Sequence, residues 1–133
     1  MVRNILLFVM TTFLLLSCQD KSRKVSGGGH IQMDEERYDF GVLNASVIRV
    51  AQHNFVLTND GAEPLVIASV QNHCHCTHLE YPKEPIQSGE STTLTAYLNV
   101  AELSPGRFSR TIDILPAGSA NRVTLILSGT VEE

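Results

Sequence analysis

Aromatic residues and positive charges are scarce in this sequence. Its 133 residues include no tryptophan, the aromatic fraction is 6%, and 10 Lys and Arg residues stand against 14 Asp and Glu residues, for a formal net charge of −4. Recognition of nucleic acid needs a basic stripe or a platform of stacking rings, so this composition excludes nucleic acid as a partner. The motifs of serine hydrolases, zinc hydrolases and phosphate-binding loops are also missing, which disfavours an enzyme.

The longest apolar run lies at the N-terminus. Residues 5–16 follow the basic Arg3 and are too few to span about 30 Å of hydrocarbon comfortably, so they have the form of a signal-peptide core. The run closes on Leu15-Leu16-Ser17-Cys18, which resembles the bacterial lipobox. We therefore predict that residues 1–17 are a cleaved signal peptide and that Cys18 becomes the lipid-bearing first residue. Two or three acyl chains would then anchor the protein stably in a membrane.

The segment after Cys18 is polar and is expected to be a tether. Residue 19 is Gln and not Asp, which favours anchoring in the outer membrane by analogy with enteric sorting. Whether the domain lies on the periplasmic or the external face of that membrane stays open. Residues 18–36 contain a triple glycine and several charges, and as a flexible coil they would reach roughly 23 Å. Residues 37–133 are left as one globular domain.

Short β-rich runs separated by turn residues fill the rest of the chain. They alternate apolar and polar residues or are bounded by Gly, Pro, Asn and Asp, and no helical periodicity competes with them. Such a pattern predicts an all-β fold, an immunoglobulin-like antiparallel β-sandwich of about seven strands. The runs lie at residues 38–41, 47–57, 65–70, 92–100, 108–115 and 123–128.

An ordered series of short motifs resembles the DUF1573 family, whose bacterial members are abundant in Bacteroidetes. The series covers nearly all of residues 37–131, and it departs from the usual family pattern at His75, where Gly is common, and at Ser88, where Pro is common. The resemblance implies an exported immunoglobulin-like domain, and it implies no activity because none is established for the family. Its motifs are Asp39-Phe40-Gly41, residues 53–61, residues 64–67, residues 74–77, residues 84–86, residues 88–90, residues 106–108 and residues 127–131.

One segment concentrates reactive side chains. His73, Cys74, His75, Cys76 and His78 lie within six consecutive positions. If the segment stays extended, Cys74, Cys76 and His78 share one face and the other two histidines share the opposite face. Two thiolates and one imidazole suit Zn²⁺ or Cu(I), so these five residues are candidate metal ligands.

A Cys74–Cys76 disulfide is the competing prediction, because an exported thiol pair meets an oxidising compartment. Residues two apart in a regular strand are about 6.6 Å apart, so this bond needs a bend, which His75 permits less readily than Gly. In a third interpretation, the thiols are small core residues and the histidines form an exposed rim. His53 is expected to be a half-buried histidine of the sandwich.

Two classes of function follow from these patterns. The first is a membrane-anchored exported lipoprotein that acts as a non-catalytic binding or accessory module and meets an envelope protein through strand edges or loops. The second is a metal-binding or thiol-redox lipoprotein that uses the cluster at residues 73–78. The first is preferred on base rate, and the oligomeric state stays open.

Overall fold

The computed structural model describes residues 29–119 and 121–133. The predicted signal peptide and Cys18 lie outside the described residues. Among the residues that are described, no helix is long and apolar enough to cross a membrane. The described residues form eight strands and one short 3₁₀ helix, Val100–Glu102. The strands are β1 (Ile31–Met33), β2 (Arg37–Asn44), β3 (Val50–Asn59), β4 (Ile67–Asn72), β5 (Thr77–Glu80), β6 (Ser91–Asn99), β7 (Gly106–Pro116) and β8 (Val123–Glu132).

The strands form two four-stranded sheets packed as a sandwich. The first sheet has the order β1-β3-β6-β5, and the second has the order β2-β8-β7-β4. All pairs are antiparallel except β2 with β8, which run parallel. The predicted all-β, immunoglobulin-like sandwich is therefore confirmed, with one parallel pair that the sequence pattern did not indicate.

The core forms where the alternating strands face each other. In β3 and β6 the inward residues Phe55, Leu57, Leu94, Ala96 and Leu98 are fully buried, as their shared parity predicts. The second sheet supplies Ile112, Ile114, Leu125 and Leu127, which are also fully buried. Burial of such aliphatic side chains is the main favourable term in folding, so these strands define the sandwich.

The position of β4 within its sheet differs from the position that its composition suggests. Residues 65–70 are apolar at almost every position, which is typical of a central strand, whereas β4 is an edge of the second sheet. Leu65 lies before the strand and forms an isolated bridge with Ile86, whose connection covers it. Ala68 is exposed, and a side chain this small adds little apolar surface.

The folded domain begins earlier than residue 37. The tether was predicted to extend to residue 36, whereas Ile31–Met33 pair with the end of β3. The buried Ile31 side chain joins the core, and the Asp34 carboxylate accepts a hydrogen bond from the Val56 amide at 2.9 Å. A run of three residues carries too little pattern for sequence reasoning, so only the pairing reveals this strand.

Strand registers define two ends of the sandwich. At the N-terminal end, Ile31 pairs with Asn59 and β7 finishes at Pro116. At the distal end, β3 begins at Val50 opposite Asn99, and β7 begins at Gly106. Thr77 pairs with Leu98, next to the distal end of β6, so the connection between β4 and β5 lies in the distal half. The Cys/His cluster is therefore remote from the point where the chain enters the fold.

Candidate functional site

The segment that links β4 to β5 folds as a tight turn. The Thr77 amide and hydroxyl both donate to the Cys74 carbonyl, at 3.3 and 3.2 Å, and the Asn99 amide donates to the Cys76 carbonyl at 2.7 Å. The Cα atoms of Cys74 and Cys76 are 5.1 Å apart, closer than the about 6.6 Å of an extended strand. Their sulfur atoms are bonded as a disulfide. The segment is thus not extended, although the prediction that Cys74, Cys76 and His78 share one face required an extended segment.

His75 occupies the turn without a left-handed backbone. No non-glycine residue among those described has a positive φ, so the position does not need glycine's conformational freedom. The bend therefore forms with His75 in place. A turn that keeps its central residues at negative φ accepts most side chains.

The two sulfur atoms differ in exposure. Cys76 is 2% exposed and packs with Leu98 and Val100, whereas Cys74 is only partly buried. The Cys76 amide donates a hydrogen bond of 3.0 Å to the Cys74 sulfur. Cys74 is therefore the accessible member of the pair.

The three histidines of the cluster diverge. His73 leans onto the second sheet, where its Nε2 lies 3.0 Å from a carboxylate oxygen of Asp113. His75 is exposed in the turn, and His78 stands on β5 beside the Tyr97 ring, with centroids 6.2 Å apart. In the part of the chain that the structure describes, no group of three or more His, Cys, Asp or Glu side chains is placed to hold a metal ion.

The candidate Zn²⁺ or Cu(I) ligands therefore do not converge in this form of the protein. A disulfide sulfur is not a thiolate, and thiolates are the ligands that the prediction needs. A site made of Cys74, Cys76, His78, His73 and His75 stays a prediction that refers to the reduced chain.

Asp113 is a buried carboxylate that sequence reasoning missed. It accepts hydrogen bonds from the Thr124 hydroxyl at 2.6 Å and from the Arg122 guanidinium at 3.1 Å, beside its contact with His73. The Thr124 hydrogen bond, followed by those from His73 and Arg122, lowers the pKa of Asp113 to about 2 from the ordinary 3.8. The signal in the sequence was an acid between Ile112 and Ile114, in a strand whose neighbours are apolar.

Among the described strands none pairs with the outer edge of β5, and this edge faces a groove between the two sheets. In an antiparallel ladder, every second residue of a strand directs its backbone N–H and C=O at the neighbouring strand. The Cys76 carbonyl accepts from the Asn99 amide of β6. His78 and Glu80, two and four residues later, therefore direct their backbone groups at β6 as well. The backbone N–H and C=O of Leu79 therefore point to the outer edge. This β4–β5 groove has a volume of about 570 Å³ and is lined by Val70, Asn72, His78, Leu79, Glu80, Tyr81 and Lys83.

Two further depressions flank the disulfide. One, of about 570 Å³, runs along the end of β4 and includes His73, Cys74 and His75. The other, of about 540 Å³, lies toward β7 and adds Cys76, Glu102 and Arg110 to the same three residues. The turn therefore stands between two surface hollows, with Cys74 lining both.

His53 and His30 hold the N-terminal segment and lie outside the cluster. The His53 ring stacks on Tyr38 with centroids 3.5 Å apart, and its Nε2 contacts the Glu35 carboxylate. His30 contacts the Asp60 carboxylate through Nδ1. Both rings help to fix residues 30–38 on the sandwich, so neither is placed to complete the cluster.

Solved structures with the same architecture define the class of this domain. A protein of unknown function from Porphyromonas gingivalis W83 superposes with a TM-score of 0.66 at 18% identity, over 84% of this chain and 51% of that chain. The PapD-like domain 7 of human CEP192 gives a TM-score of 0.59 at 9% identity, over 77% and 85%. The YadV chaperone gives 0.55 at 16% identity, over 77% and 52%. The domain thus has the immunoglobulin-like sandwich fold that these structures share.

The family assignment agrees with this class. The profile of the family described as protein of unknown function (DUF1573) matches residues 31–131, so the chain belongs to that family. The chain spans about half the length of the Porphyromonas gingivalis protein. No curated protein matches the sequence.

Proposed function

We propose that this protein is a lipid-anchored, non-catalytic binding module of the bacterial cell envelope, and that it binds an extended polypeptide segment along the free edge of β5. The observation that carries the proposal is the outward-facing backbone of Leu79 inside the β4–β5 groove. A peptide that adds to a sheet edge gains main-chain hydrogen bonds, and the adjoining groove selects its side chains.

The β5 edge is the most regular of the four sheet edges. The register of β2 shifts between Asp39 and Val42, and that of β4 shifts between Ile67 and Ser69. Such irregularities twist an edge away from a new partner. The β1 edge is only three residues long, whereas β5 pairs with β6 without a shift over all four residues.

The groove suits a peptide with mixed side chains. Leu79 and Val70 supply an apolar floor, and Glu80, His78 and Lys83 supply polar groups around it. The Lys83 ammonium lies 3.4 Å from the centre of the Tyr81 ring, which holds that part of the rim in place. Small apolar residues that alternate with polar ones would therefore match the groove along an added strand.

The position of the proposed lipid anchor is compatible with binding at the β5 edge. A lipid on Cys18 would hold the chain to the membrane by residues that precede β1, at the N-terminal end of the sandwich. The β5 edge belongs to the distal half, because Thr77 pairs with Leu98. An anchored domain would thus hold the groove clear of the headgroups. The YadV chaperone shares the fold, which supports a binding role.

The binding proposal is tested with a displayed library of random linear peptides, selected on the full chain in detergent. Backbone amide shifts of a selected peptide complex should be largest at Leu79 and its β5 neighbours. Asn72→Trp, which puts an indole into the groove, should weaken binding about ten-fold or more, as expected when a hydrogen-bonded strand is displaced. Thr93→Trp, on the exposed face of β6, is the matched control and should leave the affinity unchanged.

Peptides that shift β2 instead, or that bind Asn72→Trp as tightly as the parent, would refute the β5 edge as the site. A selection that yields no peptide binder would count against the binding module itself.

The anchor is tested separately by labelling with radioactive palmitate in the bacterial cell. The parent should incorporate label and Cys18→Ala should not, because the thiol carries the lipid. Equal labelling of the two chains would show that Cys18 is not the attachment point.

A further inference from the structure

The disulfide between Cys74 and Cys76 is built asymmetrically. Thiol–disulfide exchange requires a thiolate to reach one sulfur while the other leaves, so access decides which sulfur is attacked. Cys74 is partly exposed and lines both hollows that flank the turn. Cys76 lines only the hollow toward β7, is 2% exposed and packs in the distal core. An incoming thiol therefore meets Cys74 first.

The surroundings stabilise charge on the same sulfur. The Cys76 amide donates to the Cys74 sulfur at 3.0 Å, which favours negative charge there when Cys74 later leaves a mixed disulfide with its partner. His73, His75 and Arg110 line the hollow toward β7, and Glu102 is the acid on its rim. A partner's thiolate would approach through a hollow with more basic than acidic groups.

The turn is held by contacts that do not involve the bond between the sulfurs. The Cys74 carbonyl accepts from Thr77, the Cys76 carbonyl accepts from Asn99, and His73 is fixed by Asp113. A cross-link between residues two apart also closes a very small loop, so it restricts the unfolded chain little. The domain should thus stay folded in both redox states, with the two sulfurs close enough to reunite.

We propose that Cys74–Cys76 is an exchangeable disulfide, and that it accepts two electrons from a dithiol protein through attack at Cys74. The partner's thiolate bonds to the Cys74 sulfur, the bond between the two cysteines breaks, and its electron pair stays on the Cys76 sulfur, which takes a proton. The partner's second thiol loses its proton and attacks its own sulfur in the mixed disulfide. Cys74 then leaves and takes up a proton, so the partner becomes a disulfide and this chain a dithiol.

This inference is independent of peptide binding at the β5 edge, because it concerns the sulfurs and the hollows beside the turn. Neither sulfur lines the β4–β5 groove.

The first test compares two single variants of the full chain by their rate of mixed-disulfide formation with glutathione disulfide. Cys76→Ala leaves Cys74 free and should react about ten-fold or more faster than Cys74→Ala, which leaves the buried sulfur. The modified tryptic peptide is identified by mass, which separates these sites from Cys18. Equal rates, or a faster Cys74→Ala variant, would overturn attack at Cys74.

A second test uses the unmutated chain and dithiothreitol, a small dithiol, in case a variant fails to fold. Alkylation should trap both cysteines at dithiothreitol concentrations that leave the circular dichroism spectrum of the chain unchanged and its unfolding transition cooperative. Re-oxidation should return the original mass and rate of reduction. A bond that is reduced only after the chain unfolds would be a purely structural cross-link, and the proposal would fall.

Discussion

The two ends of the sandwich contain separate hydrophobic clusters and are closed by different interactions. At the N-terminal end, the Asn59 side chain is fully buried and makes four hydrogen bonds, accepting from His30 and Gly61 and donating to the carbonyls of Glu63 and Ile86. At the distal end, a disulfide closes the turn, and Val47 is 78% exposed. The N-terminal end is closed by satisfied polar groups, whereas the distal end leaves reactive and apolar groups accessible.

The difference separates stability from chemistry. Asn59 ties together the start of β1, the turn after β3 and the connection that carries Ile86, three segments distant in sequence. The disulfide ties together residues that are already neighbours. Removal of the first should therefore cost far more folding free energy than removal of the second.

The largest expected effect is that of Asn59→Ala. The change removes the partner of the buried Gly61 amide, of the part-buried His30 amide and of the Glu63 carbonyl, and it leaves the Ile86 carbonyl with the Leu65 amide alone. We therefore expect the free energy of unfolding to fall by about 3 kcal/mol or more. Urea denaturation measures the loss. Asp60→Asn is the matched control, because its contact with His30 is exposed and should be worth at most about 0.5 kcal/mol. Similar losses in both variants would contradict the role of Asn59.

Asp113→Asn should have an intermediate effect, which depends on pH. The carboxylate loses its charge-assisted bonds to Arg122 and His73, so the variant should be about 1–3 kcal/mol less stable at neutral pH. Because the folded pKa of about 2 lies below the ordinary 3.8, the parent's advantage is present above about pH 4 and is lost as pH falls toward 2.

Urea denaturation from pH 7 to 2 tests this dependence on Asp113. The two stability curves should converge at the acid end. Glu84→Gln, at an exposed position, is the control and should follow the parent throughout. Curves of parent and Asp113→Asn that stay parallel down to pH 2 would show that the Asp113 carboxylate is not the cause.

The smallest effect is expected at the disulfide. Cys74→Ala/Cys76→Ala should lower the free energy of unfolding by about 1–2 kcal/mol, because the loop that the bond closes is so short. Reduction of the parent with dithiothreitol should give a similar loss. A loss that equals or exceeds that of Asn59→Ala would reverse the comparison of the two ends and show that the disulfide contributes as much to folding stability as Asn59.

Local pattern accounts for the parts of the fold that were predicted. The inward faces of β3, β6, β7 and β8 follow from alternating side chains, a property of each strand by itself. The motifs from Asp39-Phe40-Gly41 to residues 127–131 indicated the DUF1573 family, which the match over residues 31–131 confirms. For the candidate site, the sequence identified the cluster at residues 73–78 and left its chemistry open between metal ligands, a disulfide and a quiet core position.

Tertiary contacts decided the rest. The Asp113 network joins His73 to a carboxylate 40 residues away, and no local pattern encodes such a distance. The β1 strand exists because Ile31 is buried in the core and pairs with Asn59, and β4 is an edge because it stands at the end of the strand order of the second sheet. The sequence by itself determined which apolar residues of β3, β6, β7 and β8 face inward, since alternation is local. Only the folded chain decided which edges stay free and which sulfur is exposed, since both depend on packing between distant segments.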